Sequence, residues 1–218
     1  MKGIIALNLK VYDMSFVKGL ELVKTAKQVA DETGIRVIVA PPIAMLSESA
    51  KIYNDVYSQA CDVELGAYTG TNPIGGMRII GVKGTLINHS ENKIKLNTIG
   101  KLIYASKKEG LEIIVCTADN LESKAVSVFK PDMVAVEPPE LIGSGISVST
   151  AKPEIVESSV QMVKKLENSV KVLCGAGISN GHDVKKAIEL GADGVLLASA
   201  YVKAKNPYEF LQELAANC

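Results

Sequence analysis

Val134-Ala-Val-Glu-Pro-Pro-Glu-Leu-Ile-Gly-Ser-Gly-Ile-Ser-Val-Ser149 joins an apolar run to a carboxylate, two prolines and a loop with two glycines. The apolar run is typical of a strand that is buried on both faces, and it ends at Glu137. A carboxylate in this position is costly, because burial disfavours its charged form. The prolines fix the direction of the chain after the strand, whereas Gly143 and Gly145 leave the far end of the loop free to change conformation. The stretch therefore predicts a base beside a movable lid.

The same alternation of an apolar strand and an amphipathic helix recurs along the whole chain. It predicts eight strands, at residues 3–7, 36–40, 57–61, 84–88, 112–116, 132–137, 170–174 and 194–198. Strands that are apolar throughout are expected where helices cover both faces of a parallel sheet. We therefore predict an α/β protein in which residues 1–218 form one domain, a (β/α)8 barrel with a closed parallel sheet. A doubly wound open sheet is the alternative, but it needs a glycine-rich turn where this chain has Asn8-Leu9-Lys10.

The sequence predicts some connections between the strands as helices and others as loops. A helix is expected from Ser15, as its cap, to Gly34, and a weaker one at 43–53. Residues 62–76 are rich in glycine and turn formers and predict a long loop, followed by a short turn at 77–80. A loop of this length usually has a function.

Composition narrows the class of function. The 218 residues carry 24 Lys+Arg against 24 Asp+Glu, so the balance of charge favours a small metabolite over nucleic acid or an anionic membrane. Four cysteines without a C-x-x-C spacing and two histidines make a zinc site improbable. We expect reduced thiols, a cytoplasmic location, and neither a signal peptide nor a membrane span. We expect neither a metal nor another cofactor.

Polar residues follow several predicted strands, at the end of the barrel where active sites form. They are Asn8 and Lys10 after the first strand, His89, Ser90 and Glu91 after the fourth, and Glu137 after the sixth. The seventh and eighth strands end in small residues, Gly175-Ala-Gly177 and Ala198-Ser199, which let backbone amides approach an anion. A base, an imidazole, a cation and a phosphate site predict proton transfer next to a carbonyl on a small phosphorylated sugar.

Several motifs, in this order, resemble the triosephosphate isomerase family. They are Asn8-x-Lys10, Gly66-Ala-Tyr-Thr-Gly70, Asn88-His-Ser-Glu91, Val136-Glu-Pro-Pro-Glu-Leu-Ile-Gly-Ser-Gly145 and Asp193-Gly-Val-Leu-Leu-Ala-Ser199. The resemblance spans the chain, and the short length and the Glu-Pro-Pro-Glu sequence are most similar to the compact archaeal branch. It implies a TIM barrel that interconverts D-glyceraldehyde 3-phosphate and dihydroxyacetone phosphate in glycolysis and gluconeogenesis.

The resemblance also implies roles for individual residues. Glu137 would shuttle the proton, and His89 would be a neutral imidazole that polarises the carbonyl, its pKa lowered by a helix that begins just after it. Lys10 would stabilise the negative charge of the enediolate and the phosphate. Asn8 would hydrogen-bond the reacting oxygen, and Glu91 would hold Lys10 in place.

The phosphate and the subunit contacts follow from the same resemblance. The amides of Gly143, Gly177, Ala198 and Ser199 would hold the phosphate under a lid formed by residues 138–144. Thr69, in the long third loop, would reach a neighbouring subunit, which makes the protein a homo-oligomer, either a dimer or a tetramer.

Three positions depart from the family pattern. Gly177 replaces a serine that usually binds phosphate, and Asn92 replaces an arginine of the subunit contact. Ala198-Ser199 replaces a glycine pair but still offers two amides.

Other interpretations stay open on the sequence alone. One alternative is another phosphate-binding barrel enzyme, such as a ribulose-phosphate epimerase or an indole-glycerol-phosphate synthase. Another is a non-catalytic barrel that binds a triose phosphate. His182, Cys116 and Cys174 are interpreted as structural residues, and Glu140 receives no role.

Overall fold

Eight short strands alternate with helices in a computed structural model, which describes residues 3–63, 66–142 and 145–218. The strands are β1 (Ile4–Asn8), β2 (Arg36–Ala40), β3 (Tyr57–Ser58), β4 (Gly84–Ile87), β5 (Glu112–Thr117), β6 (Met133–Val136), β7 (Lys171–Cys174) and β8 (Gly194–Leu197). The helices are α1 (Asp13–Val17), α2 (Gly19–Thr33), α3 (Leu46–Ile52), α4 (Ile74–Ile79), α5 (Leu96–Glu109), α6 (Asn120–Ser127), α7 (Val148–Ala151), α8 (Pro153–Leu166), α9 (Gly181–Glu189), α10 (Ser199–Val202) and α11 (Pro207–Ala216). Single 3-10 turns lie at Ile43–Met45 and Pro139–Leu141.

The strands form one parallel sheet in the order β2-β1-β8-β7-β6-β5-β4-β3. A parallel bridge between Val39 and Val56 joins the two ends of this order, and the Val39 amide donates to the Asp55 carbonyl at 3.0 Å. The sheet is therefore a barrel of eight strands. The predicted (β/α)8 fold is confirmed, and the open-sheet alternative is wrong.

Side chains alternate between the inside and the outside of the barrel, as the period of two along a strand requires. One buried cluster fills the interior and includes Ile4 and Ala6 of β1 and Met133 and Ala135 of β6. A larger cluster joins the outer faces of the strands to the helices. The interior is thus filled by side chains up to the carboxyl ends of the strands.

Two predicted helices have different boundaries in the structure. The helix predicted from Ser15 is divided into α1 and α2, and Ser15 does not cap it, because its hydroxyl is buried and donates to the Leu9 carbonyl. The second helix ends at Gly34 as predicted, in a left-handed conformation with φ of 68°. The helix after His89 begins only at Leu96, after a turn and an extended segment.

The third strand and the loop after it also differ from the prediction. β3 contains only Tyr57 and Ser58, because the chain leaves the sheet at Gln59, whose side chain binds two backbone carbonyls. The long loop is shorter than 62–76, since α4 begins at Ile74 directly after Pro73. Gly75 and Gly76 lie inside this helix, and two glycines in a row weaken the helical signal in the sequence.

Within residues 3–63, 66–142 and 145–218, no helix is both long and apolar enough to cross a membrane.

Close packing between neighbouring strands leaves no room for side chains at two glycines. A Cβ atom on Gly194 would lie 2.0 Å from the carbonyl oxygen of Ile4, the residue opposite it on β1. A Cβ atom on Gly84 would lie 2.5 Å from the carbonyl oxygen of Glu112. Both neighbours are backbone atoms of the barrel, so they move only if the strand moves.

We expect Gly194→Ala to destabilise the protein by about 2 kcal/mol or more, because the β1–β8 pairing must shift to admit the methyl group. Gly76→Ala is the matched control, since a Cβ atom there meets only Pro73 Cγ at 3.4 Å. This control should be neutral or slightly stabilising, as alanine is the better helix former. Denaturant unfolding of both variants checks the difference. Equal stability of the two variants would show that the barrel tolerates the added methyl group.

Candidate active site

A cleft opens at the carboxyl ends of the strands. It is lined by seven of the predicted site residues: Asn8, Lys10, His89, Glu137, Gly177, Ala198 and Ser199. These residues come from five different strand ends, so the barrel itself brings them together. The structure thus places the predicted catalytic residues in one cleft.

Glu137 is the first residue after β6, and the alternation of that strand directs it inward after Met133 and Ala135. Its backbone amide donates to the Thr117 carbonyl at 2.7 Å, which keeps it in register with β5. Among the described residues, none hydrogen-bonds Oε2, although this oxygen is buried. Burial raises the pKa of Glu137 to about 7, while the Cys116 thiol and the Lys10 charge lower it in part. The carboxylate can therefore accept and release a proton near neutral pH.

His89 faces this carboxylate across the cleft, with its Nε2 atom 3.7 Å from Oε2 of Glu137. The backbone amide of Glu91 donates to Nδ1 of His89 at 3.2 Å. An acceptor at Nδ1 leaves the proton of a neutral imidazole on Nε2, where it points into the cleft. Burial lowers the pKa of His89, with the charges of Lys10 and Lys93 acting in the same direction and Glu91 opposing them. His89 is therefore held as a neutral hydrogen-bond donor.

The cause of this lowered pKa differs from the one predicted. No helix begins just after His89, because α5 starts at Leu96. The prediction that a helix dipole lowers the pKa of His89 is therefore wrong. Burial and two lysines lower the pKa of His89 instead.

Lys10 projects its ammonium group into the same cleft, with its side chain only 14% exposed. Its Nζ atom lies 2.6 Å from Oε1 of Glu91, and its backbone has a φ of 49°. The Asn8 side chain accepts from the Lys10 amide at 2.9 Å, and Gln59 donates to the Lys10 carbonyl at 3.1 Å. The left-handed backbone is costly for a lysine, and these contacts hold it in place.

Backbone atoms form the part of the cleft where the sequence predicts a phosphate site. Ala198 precedes α10, whose first amides have no acceptor one turn earlier in the same helix. Gly177 has a φ of 76°, and a Cβ atom there would lie 1.9 Å from the carbonyl oxygen of Ile146. The backbone leaves no space for a side chain at this position, which explains why no serine stands here.

The lid is described only in part, since Gly143 and Ser144 lie outside the described residues. Ile142 and Gly145 line the cleft from either side of them. Glu140, for which no role is predicted, forms an ion pair with Lys152 after α7. This exposed pair joins the 3-10 turn after β6 to the residue that follows α7.

The remaining predicted residues lie around the cleft or away from it. Ser90 occupies the turn between His89 and Glu91, and Thr69 lies exposed on the third loop. His182 is exposed in the first turn of α9, as expected of a structural residue. Tyr12 and Ser179 line the cleft without having been singled out from the sequence, because neither directly follows a strand.

The sequence model of triosephosphate isomerase matches residues 3–216. The chain belongs to the triosephosphate isomerase family. Its relatives include the triosephosphate isomerases of Methanobrevibacter smithii, 48% identical over 98% of this chain and 97% of the relative, and of Methanocaldococcus jannaschii, 50% identical over 97% and 98%. The enzyme from Methanothermus fervidus is 46% identical over 98% and 97%. The predicted resemblance to archaeal triosephosphate isomerases is confirmed.

The raised pKa of Glu137 predicts a cost in stability for this member of the triosephosphate isomerase family. The ordinary value is 4.5 and the folded value is about 7, so over this window the folded protein keeps a proton that the unfolded chain loses. Stability should therefore fall as pH rises through the window and stay lower above it. Glu137→Gln should raise the melting temperature at about pH 8 by a few degrees and have little effect at about pH 4.

Thermal unfolding of the wild type and the variant at both pH values is the measurement. Glu140→Gln is the control, because this carboxylate is exposed and its pKa is lowered by Lys152. A melting temperature of Glu137→Gln at or below that of the wild type at about pH 8 would contradict the cost assigned to the buried carboxylate.

Proposed function

We propose that this chain interconverts D-glyceraldehyde 3-phosphate and dihydroxyacetone phosphate through an enediolate, as an isomerase of glycolysis and gluconeogenesis. The observation that carries the proposal is the buried Oε2 of Glu137, which is without a protein hydrogen bond in the described part of the chain and 3.7 Å from Nε2 of His89. Membership of the triosephosphate isomerase family supports the same reaction.

The proposed isomerisation consists of proton transfers between the substrate, Glu137 and His89. Glu137 takes a proton from the carbon next to the carbonyl, and the bonding electrons move onto the carbonyl oxygen to form the enediolate. His89 donates from Nε2 to that oxygen, and the hydroxyl proton of the other oxygen passes to His89 in return. Glu137 then returns its proton to the carbon that carried the original carbonyl, which completes the interconversion of aldose and ketose.

Lys10 supplies a fixed positive charge and Asn8 a fixed amide dipole, and both stabilise the enediolate intermediate. The Lys10 ammonium is held by Glu91 at 2.6 Å, so it needs no reorganisation when negative charge develops on the substrate. Asn8 is buried at the end of β1 and lines the same cleft. Both residues stabilise the enediolate more than the neutral carbonyl, which lowers the barrier.

The phosphate of the substrate binds at the opposite end of the cleft. The amides of Gly177, Ala198 and Ser199 are the proposed donors, and Gly143 of the lid is the fourth. Closure of residues 138–144 over the site would exclude water from the intermediate.

A barrel that only binds a triose phosphate is the rival function. Such a protein would gain nothing from a buried carboxylate with a pKa near 7, which lowers stability at neutral pH. The arrangement of Glu137 opposite a neutral His89 therefore favours catalysis over binding alone.

We propose that the protein carries out this activity in the cytoplasm, as a homo-oligomer. Free cysteines are typical of a reducing compartment. A second opening beside Lys10 and His89 is bordered by the exposed apolar residues Val11 and Ile43. The third loop, with Tyr68 60% exposed next to Thr69, is the proposed contact with the same opening on another subunit.

Glu137→Gln tests the proposed reaction directly. The substitution removes the base and should reduce turnover by at least about a hundredfold. A coupled assay with glyceraldehyde 3-phosphate and no added metal measures it. Glu109→Gln, at a carboxylate on α5 that pairs with Arg78, is the matched control and should keep turnover within about threefold of the wild type. Near-full activity of Glu137→Gln would remove Glu137 from the mechanism, and an inactive wild type would refute the proposed function.

Sedimentation at the assay concentration tests the assembly. We expect a dimer or a tetramer, and we expect Thr69→Lys to weaken it, because a lysine at a buried contact carries an uncompensated charge. A wild-type monomer with full activity would contradict the proposed role of the third loop.

A further inference from the structure

The chain after β4 breaks the alternation of the strand to bring His89 into the cleft. Leu86 belongs to the interior cluster and Ile87 to the outer one, so strict alternation would direct residue 89 outward. Asn88 has a φ of 59°, a left-handed conformation that is rare outside glycine but tolerated by asparagine. This single residue redirects the chain, and His89 lines the cleft as a result.

Three hydrogen bonds fix the buried side chain of Asn88. Its Nδ2 atom donates to the Cys116 carbonyl and to Oε1 of Glu122, both at 2.9 Å. Its Oδ1 atom accepts from the Ile94 amide at 3.1 Å. The amide group thus ties both ends of the segment 88–94 to β5 and α6.

Glu122 of α6 receives hydrogen bonds at both carboxylate oxygens. Oε1 accepts from Asn88 and Oε2 accepts from the Ala118 amide at 2.7 Å. The Lys93 ammonium lies 2.7 Å and 2.8 Å from the two oxygens. Burial raises the pKa of Glu122, but the bonds from Lys93, Ala118 and Asn88 outweigh it and the pKa is lowered. The carboxylate is therefore ionised and bound to the segment at two points, Asn88 and Lys93.

We propose that Asn88 and Glu122 are positioning residues for the isomerase reaction, which hold segment 88–94 in the conformation that aims Nε2 of His89 at Glu137. Neither residue lies among the groups assigned to substrate contact. They act through the Glu91 amide, which reaches Nδ1 of His89 only while the segment keeps this path. The inference rests on the proposed function, because it concerns the efficiency of His89 in that reaction.

Lys93 gives the same network an electrostatic consequence. Its charge lies close enough to lower the pKa of both His89 and Glu137. The charges that act on His89 are Lys10, Glu91 and Lys93, and Glu122 fixes the position of Lys93. The network thus helps to keep the imidazole neutral as well as correctly aimed.

Kinetics of three variants test the proposal. Asn88→Gly keeps the left-handed backbone but removes the side-chain bonds, and Glu122→Ala removes the other half of the network. Each should lower kcat by about tenfold or more with KM within about twofold, because a displaced imidazole affects the transition state more than substrate binding. Glu122→Gln retains an acceptor for Asn88 and should fall between Glu122→Ala and the wild type.

Glu109→Ala is the matched control. It removes a carboxylate that is 37% exposed and pairs with Arg78 at 2.6 Å, compared with 30% exposure for Glu122. Its kcat should stay within about twofold of the wild type. Values of kcat for Asn88→Gly and Glu122→Ala that match this control would overturn the proposal.

The tautomer of His89 provides a readout that does not depend on activity. The chain contains two histidines, so protein labelled with 15N-histidine gives two imidazole signals, and exposed His182 on α9 serves as an internal reference. Wild-type His89 should show an unprotonated Nδ1 and a protonated Nε2. In Asn88→Gly and Glu122→Ala the two nitrogens should shift towards averaged values, while His182 stays unchanged.

The two readouts separate the possible failures. A fall in kcat with an unaltered tautomer would show that the network stabilises the fold without orienting His89, and it would overturn the proposal. An inactive wild type whose tautomer shifts in the variants would refute the proposed function and leave the positioning role supported.

Discussion

The rest of the site depends on the burial of the Glu137 carboxyl group. Among the described residues, none hydrogen-bonds its Oε2 atom. Burial disfavours the charged form, and this raises the pKa to about 7. A glutamate at its ordinary pKa would be a weak base at neutral pH, so the same burial that costs stability supplies basicity. Lys10 and the Cys116 thiol limit the shift, because without them the carboxyl group would stay protonated at higher pH.

The barrel provides the geometry that this chemistry requires. Strand alternation directs Asn8 and Glu137 inward after the apolar interior residues of β1 and β6. Where alternation gives the wrong direction, the chain uses a left-handed residue, as at Asn88. Such a residue costs free energy, and several hydrogen bonds must hold it. The precision of the site is therefore supplied by the bonds around strained positions as well as by the sheet.

The eight strands, the barrel and the polar residues that meet in the cleft could be predicted from the sequence, because apolar strands that end in polar residues are a local and repeated signal. Helix α4 could not, since its two glycines resemble a loop and its stability comes from packing. The early end of β3 at Ser58 could not be predicted either, because the next residue, Gln59, binds carbonyls that lie far away in the sequence. The network of Asn88 and Glu122 joins residues 34 positions apart, and a pattern within one segment cannot reveal such a pair.

The loop after β7 shows how backbone packing can exclude a side chain. A Cβ atom on Gly177 would lie 1.9 Å from the carbonyl oxygen of Ile146, and the Val148 amide donates to the Ala176 carbonyl at 3.1 Å, so the loop after β7 packs closely against residues 146–148. A serine at this position would add a hydroxyl group but would force residues 146 and 147 outward. The chain instead has a glycine here and keeps the two segments close together. Tight contact between the loops and a hydroxyl ligand at this position therefore exclude each other, and this chain has the contact.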